Sequence, residues 1–326
     1  MATIKDVARE AGLTVTTVSR VLNNRGYISD AAREKVNAAM EKLDYRPNEV
    51  ARSLSKSKSN TIGLIVPHII HPYFAKLISN IENEAGKIGY RIMLCNTKEN
   101  TEKELEYLEM CRSNRVAGIV LCSPAVDAKK FEDLRIPLIT IECSSERGDA
   151  SIECDNFRGG ELAAVHLADR GCKKILYFSG IVDMEMPADD REKGFTSMCE
   201  KLGIEYRVKK TEADLYYTME YKEFIKKSVQ EEENIDGIFA SSDLIAAQVI
   251  QVLTKLNISI PKQMQLVGFD DVNISELTTP QITTVHQPIK EMAELAVRHI
   301  KDYNGKKALP KRTVFPVTLI KRETTR

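Results

Sequence analysis

The chain has 326 residues, of which 43% are hydrophobic and 29% are charged, a composition that excludes an intrinsically disordered protein and allows more than one buried core. No apolar run approaches the roughly 20 residues that a membrane span needs, and Lys5, Asp6 and Arg9 exclude the apolar segment of a signal peptide. The net charge is zero, but residues 1–58 carry 11 basic against 7 acidic side chains, so a basic first segment precedes an acidic remainder. This asymmetry is expected when only the first segment contacts the phosphate groups of a nucleic acid.

Cysteine and histidine usage argues against a metal site. The seven cysteines are scattered, and no two of them form a C-x-x-C pair. This usage favours a reducing cytoplasm and argues against structural zinc. His68 and His71 are close in sequence but lack a nearby carboxylate or cysteine, so neither a metal ion nor another cofactor is expected.

Residues 3–23 predict two short helices across a tight turn. Thr3 can cap the first helix, and Asp6, three residues later, can complete a capping box. Gly12 stands where that helix should end, because glycine accepts a left-handed backbone at little cost.

The second of these helices has two different faces. Val18, Val21 and Leu22 form an apolar stripe, whereas Thr16 and Arg20 lie one turn apart on another face. Small side chains allow a helix to approach base edges in the major groove, and arginine can bridge the O6 and N7 atoms of guanine. The pattern therefore predicts a helix-turn-helix, the alternative being an ordinary helical hairpin with a solvated face.

A third helix and a conditional hinge follow. The third helix is expected from Ser29 or Asp30 to about Leu43, closing a small three-helix core. Val50 and Leu54 then lie one turn apart in a segment too short to be a stable isolated helix. With a partner, this segment could insert Leu54 into the minor groove; without one, it is a flexible tether.

From Thr61 onwards, apolar strands and amphipathic helices alternate, which predicts an α/β fold of two doubly wound lobes with parallel sheets covered on both faces. The expected strands are Thr61–Val66, Tyr90–Cys95, Val116–Cys122, Pro137–Ile141, Lys174–Ser179, Val208–Thr211, Gly237–Ser241, Leu266–Phe269, Thr283–His286 and one around Val314–Ile320. The expected helices are Pro72–Ile88, Glu102–Cys111, Lys129–Leu134, Asn156–Arg170, Arg191–Leu202, Met219–Val229, Leu244–Leu256 and Ile289–Tyr303.

This pattern divides the chain into three parts. A three-helix headpiece occupies residues 1–47, and a hinge with a linker occupies residues 48–60. The large domain, residues 61–326, is expected to have a first lobe of about 61–156 plus 288–312 and a second lobe of about 157–287 plus 313–326.

Polar and aromatic side chains follow the predicted strands, where ligands bind in doubly wound sheets. Carboxylates, an arginine and an amide for hydroxyl groups, with aromatic rings for the C–H face, suit a sugar-like ligand. A strand-end aspartate is also often only the N-cap of the next helix, an alternative that stays open for Asp155 and Asp243. The candidate residues are His71, Tyr73, Phe74, Ser123, Glu142, Asp155, Arg191, Ser242, Asp243, Asp270, Asp271 and Gln287.

Sequence motifs of common enzymes are absent. The chain has no Walker A sequence, no G-x-S-x-G, no H-E-x-x-H, and no G-x-G-x-x-G after its first strand. We therefore expect a binding protein and not an enzyme.

The chain resembles the LacI/GalR (lactose-repressor/galactose-repressor) family of bacterial transcription regulators over essentially its whole length. The segments that carry the resemblance are Ala2–Ala8, Thr16–Asn23, Tyr45–Asn48, Ala51–Leu54, Thr61–Ile65, Asp155–Asn156, Arg191 with Gly194–Phe195, Ser242–Asp243 and Gly268–Asp270. The segment Asn24–Ser29 and the residues Glu104, Tyr107, Leu108 and Glu109 look similar to the sucrose- and ribose-repressor branch. The chain departs from the family pattern in two places. Ser55 stands where lysine or glutamine often follows the minor-groove leucine, and the family's cleft tryptophan is absent because the chain has no tryptophan.

The resemblance implies a cytoplasmic, nucleoid-associated homodimer that binds a pseudo-palindromic operator and is controlled by a sugar or sugar phosphate held between the lobes. Val15, Thr16 and Arg20 match the family's base-reading positions, and Leu54 matches its minor-groove residue. The other expected DNA contacts are Thr3, Thr17, Ser19, Asn23, Tyr45, Ala51 and Arg52. Arg191, Asp270 and Gln287 match the family's effector-contacting positions, as does Glu142, where aspartate is common. The other expected effector contacts, chosen for their place after predicted strands, are Tyr73, Phe74, Ser123, Ser242 and Asp243. Two alternatives stay open: a regulator co-controlled by a phosphorylated partner protein, and a sugar-converting enzyme that carries a DNA-binding headpiece.

Overall fold

A computed structural model describes residues 2–23, 25–46, 59–98, 100–123, 136–143, 148–181, 186–303 and 309–326. By its internal contacts the chain divides into two compact units, residues 1–59 and residues 60–326. The predicted hinge helix with Ala51, Arg52 and Leu54, and the helix predicted near Lys129–Leu134, lie outside the described residues.

The first unit contains three helices among its described residues: α1 (Ile4–Ala11), α2 (Val15–Asn23) and α3 (Asp30–Lys42). The predicted capping box is confirmed, since the side chain of Thr3 accepts from the backbone of Asp6 and the carboxylate of Asp6 accepts from the Thr3 N–H at 2.9 Å. Gly12 ends α1 with φ +63°, and the side chain of Ser29 caps α3. These caps fix the helix ends around a small core formed by Val7, Ala8, Ala11, Val18, Val21, Val36 and Ala39.

The second unit contains two sheets, each with six strands among the described residues. The first sheet has the order β11-β5-β4-β3-β1-β2 and the second β12-β10-β9-β8-β6-β7. All neighbouring pairs are parallel except β10 and β12. The strands are β1 (Thr61–Val66), β2 (Arg91–Asn96), β3 (Gly118–Leu121), β4 (Leu138–Ile141), β5 (Ala150–Cys154), β6 (Lys174–Ile181), β7 (Glu205–Thr211), β8 (Gly237–Ala240), β9 (Gln265–Asp270), β10 (Thr283–His286), β11 (Arg312–Phe315) and β12 (Thr318–Ile320).

Helices cover the sheets, so the predicted α/β architecture is confirmed. The chain crosses between the sheets after β5, after β10 and after β11. The helices are α4 (Pro72–Lys87), α5 (Thr101–Ser113), α6 (Asn156–Asp169), α7 (Asp190–Leu202), α8 (Ala213–Thr218), α9 (Lys222–Glu231), α10 (Asp243–Lys255), α11 (Ile274–Leu277) and α12 (Ile289–Asp302), with a 3-10 turn at Pro187–Asp189.

Two predicted elements are wrong. The single strand predicted around Val314–Ile320 is two strands in different sheets, because Pro316 lies between them and has no N–H for a ladder. The first sheet therefore keeps the chain through Phe315, beyond the predicted lobe limit at residue 312. The helix predicted from Met219 begins only at Lys222, because Met219 adopts φ +57° as the left-handed cap of α8.

Candidate functional site

A cavity of about 160 Å³ lies where the carboxyl ends of strands from the two sheets face each other. Seven of the nine predicted effector contacts line it: Tyr73, Phe74, Glu142, Arg191, Ser242, Asp270 and Gln287. The other lining residues are Pro67, His71, Cys122, Gly180, Met186, Ala188, Asp189, Thr211, Tyr216, Tyr221, Ser241 and Ile245.

Arg191, at the start of α7, is buried and held from several sides. Its Nε donates to Asn156 Oδ1 at 2.7 Å, and its Nη1 donates to the carbonyl of Ser241 at 2.8 Å. Its guanidinium carbon lies 3.7 Å from the centroid of the Phe269 ring, and its Nη2 lies 3.9 Å from Glu142 Oε2. These contacts come from both sheets, so the guanidinium is fixed before any ligand arrives.

Two glycines let the helix that carries Arg191 come close to α6. A Cβ on Gly160 would overlap the carbonyl of Arg191, and a Cβ on Gly194 would overlap the carbonyl of Phe157. The two backbones therefore touch at a separation that no other residue type permits. This crossing sets the depth at which Arg191 enters the cavity.

Glu142 and Asp270 reach the cavity from opposite sheets, each on an uncommon backbone conformation, with φ +50° and +114°. Glu142 accepts from the N–H of Cys154 at 2.6 Å and from Asn156 Nδ2 at 2.9 Å. Burial raises the pKa of Glu142, although Arg191 and these hydrogen bonds oppose the rise. Burial also raises the pKa of Asp270 to about 7, with Arg191 and Gln287 opposing it.

Two buried polar atoms at the cavity have no hydrogen-bond partner among the described residues: Tyr73 Oη and Gln287 Oε1. The amide nitrogen of Gln287 donates to Asp270 Oδ1 at 2.7 Å, which leaves its oxygen as an open acceptor. His71 Nδ1 accepts from the N–H of Tyr73 at 3.3 Å, and burial lowers the pKa of His71 to about 4, so this ring is neutral at pH 7. An open donor and an open acceptor in one lining point to a ligand with hydroxyl groups.

Two predicted effector contacts lie outside the cavity lining. The carboxylate of Asp243 accepts from Thr284 Oγ1 at 2.6 Å and from the N–H of Val272 at 2.9 Å, so it ties α10 to β10 and to the turn after β9. Ser123 is buried, and its hydroxyl lies 3.2 Å from Thr97 Oγ1. Both side chains face neighbouring protein groups.

Sequence reasoning missed the aromatic side of the cavity. Tyr216 and Tyr221 line it from α8 and the turn after it, and Asp189 lines it from the 3-10 turn. The ring centroid of Tyr216 lies 5.0 Å from that of His68, a residue that follows β1. The neighbouring residues Tyr216 and Tyr217, in a chain without tryptophan, were the available signal that aromatic side chains line the cavity.

Helix α2 presents its predicted polar face away from the small core. Val18 and Val21 are buried, whereas Val15, Thr16 and Arg20 are exposed. Of the other predicted DNA contacts in this unit, Thr17, Ser19, Asn23 and Tyr45 are half-buried and Thr3 is exposed. Asn23 Nδ2 donates to the Ser19 carbonyl at 2.8 Å, which stiffens the end of this helix.

In the parts of the chain that the structure describes, no three histidine, cysteine, aspartate or glutamate side chains form a group that could hold a metal ion. None of the helices found there has the length and apolar character that a membrane crossing requires.

Comparisons with known proteins agree with both units. A model of the lacI family of bacterial regulatory proteins matches residues 3–48, and a model of the periplasmic binding protein-like domain matches residues 164–325. The chain is 36% identical to a ribose operon repressor of Halalkalibacterium halodurans, over 100% of this chain and 98% of the relative. It is 35% identical to a sucrose operon repressor of Streptococcus mutans, over 99% of each.

A solved structure gives the same result for the large domain. A periplasmic binding protein/LacI transcriptional regulator from Alkaliphilus metalliredigens, complexed with D-xylulofuranose, is 35% identical and superposes with a TM-score of 0.72. The match covers 82% of this chain and 100% of that one. With a helix-turn-helix unit, a two-sheet α/β unit and full-length relatives at this identity, the chain belongs to the lacI family of bacterial regulatory proteins.

Proposed function

We propose that this protein is a sequence-specific DNA-binding repressor of carbohydrate-utilisation genes whose operator affinity is controlled by a small sugar or sugar phosphate in the cavity. The observation that carries the effector part is the pair of unpartnered atoms, Tyr73 Oη and Gln287 Oε1, beside the fixed groups of Arg191, Glu142 and Asp270. Buried polar atoms are costly unless something pairs with them, so this lining is suited to a ligand rich in hydroxyl groups. The names of the relatives, ribose and sucrose operon repressors, support the same ligand class.

The proposed division of labour follows the two units. Residues 1–47 read DNA through Val15, Thr16 and Arg20 on α2, and residues 48–60 form a hinge in which Leu54 opens a minor-groove step. Residues 61–326 bind the effector and dimerise, and the homodimer recognises a pseudo-palindromic operator in the bacterial cytoplasm, where it associates with the nucleoid.

Control follows from linkage between the two binding events. An effector that binds one arrangement of the lobes more tightly shifts the population toward it, and the operator affinity changes by the same coupling free energy. We propose that the seven lining residues contact the effector and that Asp243 and Ser123 position the turns that carry them.

We propose no catalytic role. Glu142 and Asp270, the paired carboxyls that could serve as acid and base, are each held by protein hydrogen bonds, as befits fixed recognition groups. After prolonged incubation with the purified protein, a bound sugar should be recovered unchanged.

The test is operator binding by the purified full-length chain, followed by fluorescence anisotropy with a labelled symmetric operator. Ribose, sucrose, D-xylulose and their phosphate esters are titrated into the complex. A shift in operator affinity with any of these compounds supports the proposal. Specific DNA binding that none of them changes contradicts effector control by this ligand class, and failure to discriminate an operator from random DNA contradicts the DNA-reading role.

A further inference from the structure

We propose that the cavity selects an uncharged, hydroxyl-rich ligand and rejects its phosphorylated or carboxylated counterparts. The inference rests on the proposed function, because it concerns the ligand of the same cavity. It goes further because it assigns the cavity to uncharged sugars and excludes their phosphate esters.

The charges of the lining oppose an anion. Among the described residues that line the cavity, Glu142, Asp189 and Asp270 carry carboxyl groups, and Arg191 carries the only guanidinium or ammonium group. His71 does not add a second positive charge, because burial lowers its pKa to about 4. A phosphate brought into this lining would meet three acidic groups and one basic group.

The single positive charge is already matched by protein groups. Arg191 Nη2 lies 3.9 Å from Glu142 Oε2, and its Nε and Nη1 donate to Asn156 and to the Ser241 carbonyl. An anionic ligand would have to compete with Glu142 for the guanidinium. The side-on bidentate approach of a phosphate is closed, since Nε already donates to Asn156, and an end-on approach through the two terminal nitrogens would meet Glu142 beside Nη2.

The pKa values of the lining carboxyl groups indicate that negative charge is unfavourable in the cavity. Burial raises the pKa of Glu142, of Asp189 and of Asp270, even though Arg191 opposes the rise at Glu142 and Asp270. These acids are therefore harder to ionise here than in water. A phosphate dianion would face the same desolvation, together with repulsion from whichever carboxylates remain ionised.

The unpartnered atoms point the same way. Gln287 Oε1 is an acceptor and needs a donor, so the phosphate group of an ester cannot replace a ligand hydroxyl at this atom. Tyr73 Oη can donate to a ligand oxygen and can also accept from a hydroxyl proton. Hydroxyl groups of an uncharged sugar can pair with both atoms.

The experiment compares matched pairs by isothermal titration calorimetry on the full-length protein: ribose with ribose 5-phosphate, D-xylulose with D-xylulose 5-phosphate, and sucrose with sucrose 6-phosphate. We expect at least one uncharged member to bind, and its phosphate ester to bind about a hundredfold more weakly or not at all. An ester that binds as tightly as its uncharged partner, or more tightly, overturns the inference. So does the failure of every uncharged sugar to bind at millimolar concentration.

A charge variant tests the cause. Asp189→Asn removes one negative charge from the lining, and Asp190→Asn removes the same charge from the next residue, which is not part of the lining. Asp189→Asn should raise the affinity of the phosphate ester relative to that of its parent sugar about fivefold or more, and Asp190→Asn should leave this ratio unchanged. Equal effects of the two variants would overturn the role of the lining charges.

Operator anisotropy with the same compounds separates the two proposals. A phosphate ester that binds in preference to its parent sugar and changes operator affinity overturns the ligand selectivity and leaves the effector-controlled repressor standing. An uncharged sugar that binds selectively without changing operator affinity supports the selectivity and contradicts effector control by that sugar.

Discussion

Gln287 donates its amide N–H to Asp270 Oδ1 at 2.7 Å, while its own oxygen is buried without a partner among the described residues. The two residues stand at the ends of adjacent parallel strands, β9 and β10, and thus face the cavity side by side. The pair presents a carboxyl group and an open amide oxygen to one ligand. It also couples ligand recognition to the ionisation of Asp270.

The first prediction concerns pH. The folded-state pKa of Asp270, about 7, lies well above the ordinary aspartate value, because burial favours the protonated form. Protonation of Asp270 therefore stabilises the folded protein. This contribution is fully present below about pH 4 and is lost as the pH rises through about 7. Asp270→Asn does not titrate, so the melting temperature of the variant relative to wild type should rise between about pH 5 and about pH 8, by the equivalent of up to about 3 kcal/mol.

The control for this comparison is Glu82→Gln, which neutralises an exposed carboxyl group on α4. Its melting temperature should follow that of wild type across the same range. A difference between Asp270→Asn and wild type that stays constant with pH would show that Asp270 is ionised throughout, contrary to the raised pKa.

The second prediction concerns the hydroxyl group of Tyr73. Tyr73→Phe removes a buried hydroxyl that has no hydrogen-bond partner among the described residues, so the ligand-free protein should be unchanged or stabilised, by up to about 1 kcal/mol. Affinity for the effector should fall about tenfold, because the ligand oxygen that pairs with this hydroxyl loses its partner. Thermal unfolding with and without the sugar measures both effects.

Tyr177→Phe is the matched control, since the hydroxyl of Tyr177 is buried and hydrogen-bonded to Ser179. This variant should be destabilised by about 1 kcal/mol and should keep its effector affinity. If both tyrosine variants lose stability equally and neither loses affinity, Tyr73 has a structural role alone.

Particular residues explain which features the sequence predicts. Glu142 and Asp270 were predictable because Glu142 follows the apolar strand β4 and Asp270 ends the apolar strand β9, and ligands bind at the carboxyl ends of parallel strands. Tyr216 was not, because it lies on a short helix whose end depends on the left-handed backbone of Met219, a conformation that methionine rarely adopts. The contact between Arg191 and Phe269 joins elements far apart in sequence, and no local periodicity encodes it.

The third prediction tests the crossing of α6 and α7. A Cβ on Gly160 would overlap the Arg191 carbonyl and press on the backbone nitrogen of Phe195, both of them backbone atoms that cannot rotate away. Gly160→Ala should therefore destabilise the protein by about 2 kcal/mol or more and weaken effector binding by displacing Arg191. Gly86→Ala on α4 is the control, because no atom lies within 4 Å of its added Cβ. Gly86→Ala should be neutral or slightly stabilising, and equal losses in the two variants would contradict the close crossing.

The last prediction concerns base reading by α2. Arg20 is exposed on the face of α2 opposite the buried Val18 and Val21. Arg20→Ala should therefore weaken operator binding by about 1–3 kcal/mol. It should also relax the sequence preference at one base pair in each half-site. Arg9→Ala on α1 removes the same charge from a helix that the helix-turn-helix geometry does not place against base edges. Its loss should be small and uniform across operator sequences, with a shallower salt dependence. Anisotropy titrations against a set of single-base operator variants measure both patterns, and a uniform loss with Arg20→Ala would reassign that side chain to a phosphate contact.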